Sequence, residues 1–169
     1  MLIVFAGLPG TGKSTIAREL ARQLGAVHVR IDSIEQALRD YGTVDRCMDD
    51  TGYRVAYAIA ADNLRIARTV IADSVNPLTV TRDAWVAVAK RTGARIAEVE
   101  IICSDVNEHR RRTEMRTSDI PGLKLPTWQE IVSREYHPWD RPHLVFDTAR
   151  QTVEQSVQML REAIAAQRE

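Results

Sequence analysis

Eight residues near the N-terminus carry the clearest chemistry in this sequence: Gly7-Leu8-Pro9-Gly10-Thr11-Gly12-Lys13-Ser14. They match the P-loop pattern G-x-x-x-x-G-K-[ST] in full. A polyphosphate needs several N–H donors converging on it, and a concave turn at a helix N-terminus supplies them. Glycine at positions 7, 10 and 12 permits the tight path and the close approach. Lys13 places a charge on the β- and γ-phosphates, and the Ser14 hydroxyl is a ligand for Mg²⁺. Thr15 completes the nucleotide-binding stretch. The expected ligand is a nucleoside triphosphate, with ATP and Mg²⁺ as the cofactors.

Two carboxylates and a run of arginines extend this reading. Asp32 lies just past the second predicted strand, at the carboxyl end where ligands of such sheets gather. It is either the N-cap of the next helix or the group that orients or deprotonates an acceptor hydroxyl. Asp73 ends the third strand and is a candidate to hold Mg²⁺ through water. Arg110, Arg111, Arg112 and Arg116 precede a loop, Thr117 to Pro126, that holds two prolines and one glycine. A helix followed by such a loop suits a lid over the phosphates, spanning about residues 108–127. Arg112 and Arg116, four apart and so on one face, are the arginines expected to stabilise charge on the transferred group. The alternative is a solvated face paired with Glu108 and Glu114.

A P-loop does not name a reaction. A GTPase switch calls for D-x-x-G after a strand and N-K-x-D for guanine. Here the third strand runs into Asp73-Ser74-Val75-Asn76, and no Asn-Lys pair occurs. A remodelling ATPase is normally larger and has an acidic pair where this chain has Asp73-Ser74. Phosphoryl transfer to a hydroxyl accounts for more of the residues.

The elements that must position them alternate. Strands are predicted at Leu2–Ala6, Val27–Ile31, Thr69–Ala72, Ala97–Cys103 and His143–Phe146. Helices are predicted at about Lys13–Leu24, Ile34–Arg39, Gly52–Ala67 and Arg82–Arg91. Val55, Ile59 and Leu64 are the core candidates of the third. Three later helices start at capping-box spacings, Asp105 with Glu108, Thr127 with Glu130 and Thr152 with Gln155. Short apolar strands alternating with amphipathic helices imply an α/β fold with a parallel sheet covered on both faces. The 169 residues suit one domain.

Bulk composition excludes several classes. Basic and acidic side chains balance at 23 each, which gives no support for a general nucleic-acid or membrane binder. No apolar run approaches the roughly 20 residues of a membrane span, and no leader is legible, so a cytoplasmic protein is expected. Cys47 and Cys103 are far apart and form no metal or redox motif; both read as reduced, at least partly buried thiols.

The order of these motifs resembles the small P-loop kinases, the group of gluconate, shikimate and adenylylsulfate kinases, chloramphenicol phosphotransferase, polynucleotide 5′-hydroxyl kinase and zeta-type toxin kinases. The resemblance runs from the P-loop through Arg30-Ile31-Asp32-Ser33 and Ala72-Asp73-Ser74 to His109–Arg116. Asp73-Ser74-Val75-Asn76-Pro77 and Arg134-Glu135-Tyr136-His137-Pro138-Trp139 are similar to stretches of bacterial AAA-family ATPases and kinases of unassigned acceptor. The resemblance implies a P-loop NTPase three-layer sandwich with strand order 2-3-1-4-5 and a helical lid, and Asp32 as general base. It implies an ATP- and Mg²⁺-dependent phosphotransferase acting on a hydroxyl, expected on a small molecule. The alternatives are a polynucleotide 5′-hydroxyl or toxin-like sugar-nucleotide kinase, and a nucleotide-gated module that hydrolyses ATP slowly and signals to a partner protein.

The acceptor region, about residues 41–68, carries no motif for a named acceptor. Arg30, Arg54 and Arg82 are positioned to meet an anionic acceptor, although each reads first as a surface residue. Tyr53 and Tyr57 share a helix face, for stacking on an acceptor ring or for the core. Asn76 either contacts a ligand or builds the turn before Pro77. The ring-rich segment Tyr136–Pro142 reads as a structural plug or an adenine wall. His109, His137 and His143 show no ligand spacing. Asp147 and Thr148 follow the fifth strand, on the side expected for adenine.

Overall fold

The computed structural model describes residues 1–42 and 50–166. The Cys47 reading and part of the acceptor region therefore lie outside the described residues. Five strands, β1 (Leu2–Ala6), β2 (Val27–Arg30), β3 (Val70–Asp73), β4 (Ile96–Ile102) and β5 (Leu144–Asp147), form one parallel sheet in the order β2-β3-β1-β4-β5. The order implied by the resemblance is the order found. The central strand β1 is buried at every position, which is why it reads as an unbroken apolar run.

Helices cover both faces. On one, α1 (Lys13–Leu24) and α7 (Val153–Ala166) pack Ile16, Leu20, Val157 and Leu160 against Ile3, Phe5, Ile71 and Val99. On the other, α3 (Thr51–Arg65) and α4 (Thr79–Thr92) pack Ala56, Ala60, Trp85 and Val88 against Leu2, Val4, Val70 and Ala72. The loops leaving β1 and β3 thus turn to opposite faces. They open a crevice at the carboxyl ends of adjacent strands, the place where such sheets take ligands.

Two helices differ from expectation in ways that matter for the site. The second, α2 (Ile31–Asp40), begins at Ile31 instead of Ile34, with Arg30 at the cap position and no side-chain cap bond. Asp32 is therefore in the first turn rather than at the N-cap. Helix α3 is rotated from the expected face: Ile59 is 39% exposed and Val55 only half-buried, while Gly52, Ala56, Ala60, Ala61 and Leu64 turn inward. Small residues let α3 lie close to its neighbours; a Cβ on Gly52 would collide with the Glu35 side chain.

The remaining elements are α5 (Val106–Met115) and α6 (Trp128–Val132), joined by an irregular stretch over residues 116–127. Asp105 caps α5 by accepting from the Asn107 and Glu108 amides. Thr127 and Glu130 form a reciprocal capping box at α6, and Thr152 and Gln155 exchange the same pair of bonds before α7.

On β4, Glu98 and Glu100 point to the face away from α1 and α7, and residues 136–143 cover them in place of a helix. Arg141 binds Glu98 through two 2.7 Å bonds, and Tyr136 Oη donates to Glu100 at 2.7 Å. Trp139 stacks on His143 at 4.0 Å. Arg82, expected at the surface, is fully buried here. Because α4 starts at Thr79, Arg82 turns inward. Its guanidinium donates to the carbonyls of Asn76, Pro77, His137 and Pro138 and lies 4.2 Å from the Trp139 ring centre. The plug reading of this segment holds.

Candidate active site

The P-loop runs from the end of β1 into α1, and close contacts explain two of its three glycines. Gly7 has φ 126°, and a Cβ there would strike the Ile101 carbonyl of β4. Gly10 has φ 87°, and a Cβ there would strike Thr113 and crowd His109, both on α5. Helix α5 therefore rests directly on the phosphate loop. His109 fixes this contact through Nε2 and the Pro9 carbonyl at 2.8 Å and packs edge-on against Trp128. His109 has no partner that suggests chemistry; it is a buried strut, consistent with its lack of ligand spacing.

Lys13 is 7% exposed, with Nζ donating to the Leu8 carbonyl at 3.1 Å. Burial lowers its pKa, against the opposing pull of Asp73 and Asp32 and with further lowering by Arg116 and Arg134. Asp73 is 2% exposed at the end of β3. Burial pushes its carboxyl up. His28, 3.2 Å away, together with Lys13 and the Ser14 hydroxyl, outweighs this and holds Asp73 below its usual range, ionised. Sequence reasoning missed His28, although strand alternation puts residues 28 and 30 on one face and both reach Asp73.

Asp32, freed from capping, lines a cleft of about 880 Å³ together with Lys13, Ser14, Thr15, Asp73, Arg112 and Arg116. Its carboxylate accepts no hydrogen bond among the described residues. Arg116 faces it from the first residue after α5. The Arg116 Nε and Nη2 atoms are buried without a partner, and its pKa is lowered by burial against the attraction of Asp32. A half-buried guanidinium with idle donors, beside an idle carboxylate and a buried lysine, has the chemistry to meet an anionic group and a hydroxyl.

The four arginines of the run separate. Arg110 and Arg111 are exposed and pair with Glu114 and Glu108, the solvated face. Arg112 is held by the protein: Nε on Glu108 at 2.7 Å, Nη1 on Thr148 Oγ1 at 2.9 Å and Nη2 on the Thr148 carbonyl at 3.0 Å. Thr148 Oγ1 in turn donates to the Thr11 carbonyl. The expectation that Arg112 and Arg116 point together thus divides. Arg112 braces the β5 end against the P-loop, and among the four Arg116 is the one with buried donors left without a partner.

Of the other candidates, Arg54 is an exposed partner of Asp50. Tyr57 packs edge-on against Trp85 and donates to the Thr81 carbonyl, and Tyr53 accepts from the Asn76 amide, so both tyrosines belong to the core. Asn76, at φ 45°, is fully buried and ties β1 to Trp85 through its side chain; it builds the turn. Asp147 accepts from the Ser104 and Ala149 amides. Arg30 lines the cleft and meets Asp119, a residue that no local sequence pattern marks.

A family model described as an AAA domain matches residues 2–134. The chain belongs to this family. Solved structures similar to this AAA-domain protein include an adenylylsulfate (APS) kinase of Mycobacterium tuberculosis, in complex with AMPPNP and APS. It is 20% identical, with 97% of this chain and 96% of that chain covered and a TM-score of 0.72. Kti12 of Chaetomium thermophilum, in complex with ADP-AlF3, is 24% identical over 97% and 99% of the two chains, with a TM-score of 0.68. A gluconokinase of Sinorhizobium meliloti 1021 is 18% identical over 99% and 97%, with a TM-score of 0.63. A search of curated proteins gives no significant match. The AAA-domain protein therefore has the fold of the small P-loop kinases that its motifs resemble. No described helix is long and apolar enough to cross a membrane.

Proposed function

We propose that this AAA-domain protein transfers the γ-phosphoryl group of ATP to a hydroxyl of a small-molecule acceptor. The observation that carries the reading is the pairing of the idle Asp32 carboxylate with the unpartnered Arg116 guanidinium across one cleft from Lys13. A P-loop that only held nucleotide would need neither.

The amides of residues 8 to 14 and Lys13 bind the phosphates. Asp32 accepts a hydrogen bond from the acceptor hydroxyl, aims its oxygen at the γ-phosphorus and takes the proton. The new O–P bond forms as the bond to the β-phosphate bridging oxygen breaks, and ADP leaves. Arg116, carried by the lid, neutralises charge on the transferring group in a site its closure dries. The Ser14 hydroxyl beside an ionised, buried Asp73 offers the hard oxygen donors that Mg²⁺ takes. Among the described residues no cluster of three or more His, Cys, Asp or Glu is placed to hold a metal, so such a cation would draw its other ligands from nucleotide and water. Its contribution would be to offset charge on the β- and γ-phosphates.

The test is ATP consumption with Mg²⁺ against pools of sugars, nucleosides, antibiotics, sugar nucleotides and 5′-hydroxyl oligonucleotides. One pool should raise turnover well above the water background. Asp32→Asn should lower transfer by about 10²-fold or more and leave ATP binding, followed with a fluorescent analogue, nearly unchanged. Helix α2 is not capped by this side chain, so its stability should not move. Loss of ATP binding in that variant, or a slow hydrolysis that no pool changes, would favour the nucleotide-gated module instead.

A further inference from the structure

The mouth of the cleft holds a clamp that the reaction as described does not use. Arg30, at the end of β2, donates from Nη1 to one oxygen of Asp119 at 2.8 Å. Arg18, on α1, donates from Nη1 to the other at 3.0 Å. Two guanidinium groups from separate elements thus converge on the two oxygens of a single carboxylate. Carboxylates, phosphate monoesters and sulfates all present such a pair of oxygens. Arg30 keeps a further donor in reserve, since its Nε is buried and unpartnered, 4.0 Å from Asp73.

The occupant of the clamp is easily displaced. Asp119 belongs to the irregular 116–127 stretch, and its side chain is 47% exposed, as is 60% of Arg18. The Arg18 pair, open to water on both sides, is weak; the Arg30 pair has a sheltered arginine, 18% exposed, but its carboxylate side is open, so Asp119 can leave without unpacking a core. The charge of the cleft points the same way. Its lining has eight basic side chains against four acidic ones, and Asp119 is one of the four. A magnesium–triphosphate complex brings about two negative charges. Displacing Asp119 leaves an excess of positive charge that a neutral acceptor would not meet.

Resting on the phosphotransferase reading, we propose that the acceptor is a small hydroxy compound bearing an acid group, and that Arg18 and Arg30 bind this group in the place Asp119 occupies. Asp119 acts as an internal stand-in that fills the clamp, ties the lid to it and yields to the substrate. Arg30 and Asp32 are two residues apart and line the same cleft. The acid and the reacting hydroxyl are therefore proposed to belong to one small molecule, such as a hydroxy acid or a phosphorylated polyol.

Matched pairs of acceptors test this: sugar against sugar acid, sugar against sugar phosphate, nucleoside against nucleoside 3′-phosphate. The acid-bearing member should show at least about tenfold higher kcat/KM, the usual worth of charge-assisted bonds. Arg18→Gln and Arg30→Gln should each bring that ratio toward one; Arg18 is exposed, so its variant tests the site even if Arg30→Gln folds poorly. Asp119→Ala should lower the KM for the acid-bearing member several-fold. A merely structural clasp would give the opposite sign. Neutral members that serve equally well, a preference that survives Arg18→Gln, or a KM that rises in Asp119→Ala would overturn the assignment. So would stimulation by 5′-hydroxyl oligonucleotides with none by small acids, which would mark a polymer acceptor. If no compound raises turnover, the phosphotransferase reading fails separately. Calorimetry of sugar acids and sugar phosphates on the MgADP-loaded protein then decides the clamp. Binding lost in Arg18→Gln and strengthened in Asp119→Ala sustains it, and no binding refutes it.

Discussion

Replacing Arg116 by methionine should separate stability from activity. The side chain holds two buried donor nitrogens, Nε and Nη2, with no partner. Such groups cost roughly 1–3 kcal/mol, and the charge of Asp32 offsets part of this. Methionine fills much of the same volume without the desolvated charge. A net gain of about 1 kcal/mol follows, or about 2–4 °C in Tm for a domain of this size. An arginine that neutralises a transferring phosphoryl group is worth about 10³-fold or more in kcat. The variant should therefore melt slightly higher, bind ATP with similar affinity and turn over about 10³-fold more slowly. Circular dichroism melts and coupled ADP release, with and without a stimulating acceptor, provide the readouts. A variant that melts several degrees lower would show that Arg116 is a structural anchor. A variant with unchanged turnover would remove it from the reaction.

Two further outcomes follow from buried charge. Asp73 has its carboxyl held below the ordinary 3.8, so it contributes stability above that pH and loses it as pH falls through the lower folded value. The acid limb of the stability–pH profile should flatten in Asp73→Asn below about pH 4, as followed by urea melts at stepped pH; an unchanged acid limb would contradict the charge assignment. Arg82→Ala should cost about 3–5 kcal/mol by opening a cavity and stranding four carbonyls. Its urea midpoint should fall accordingly, and a midpoint near that of the parent protein would refute the buried network.

What the sequence determined lies within a few residues of itself. The glycines of the P-loop record backbone geometry at the residues that adopt it. The apolar run of β1 records burial on both faces. The Thr127–Glu130 and Thr152–Gln155 boxes are closed by side chains three positions apart. These are local constraints, so each leaves a local pattern, and the strand–helix alternation that places Asp73 at a strand end is their sum.

The tertiary structure decided which way each polar side chain turns. Asp32 lost the capping role because α2 began one turn early. Arg82 went inward to carbonyls up to 56 residues away, and Arg112 to Thr148, 36 residues away. Of the 110–116 run, Arg116 was left with buried donors unpaired, and Asp119 closed on Arg18 and Arg30 from 101 and 89 residues away. An arginine that solvates a surface, braces a fold or waits for a phosphate has the same letter in the sequence. Only the packing around it, by supplying or withholding partners and water, settles which of the three it is.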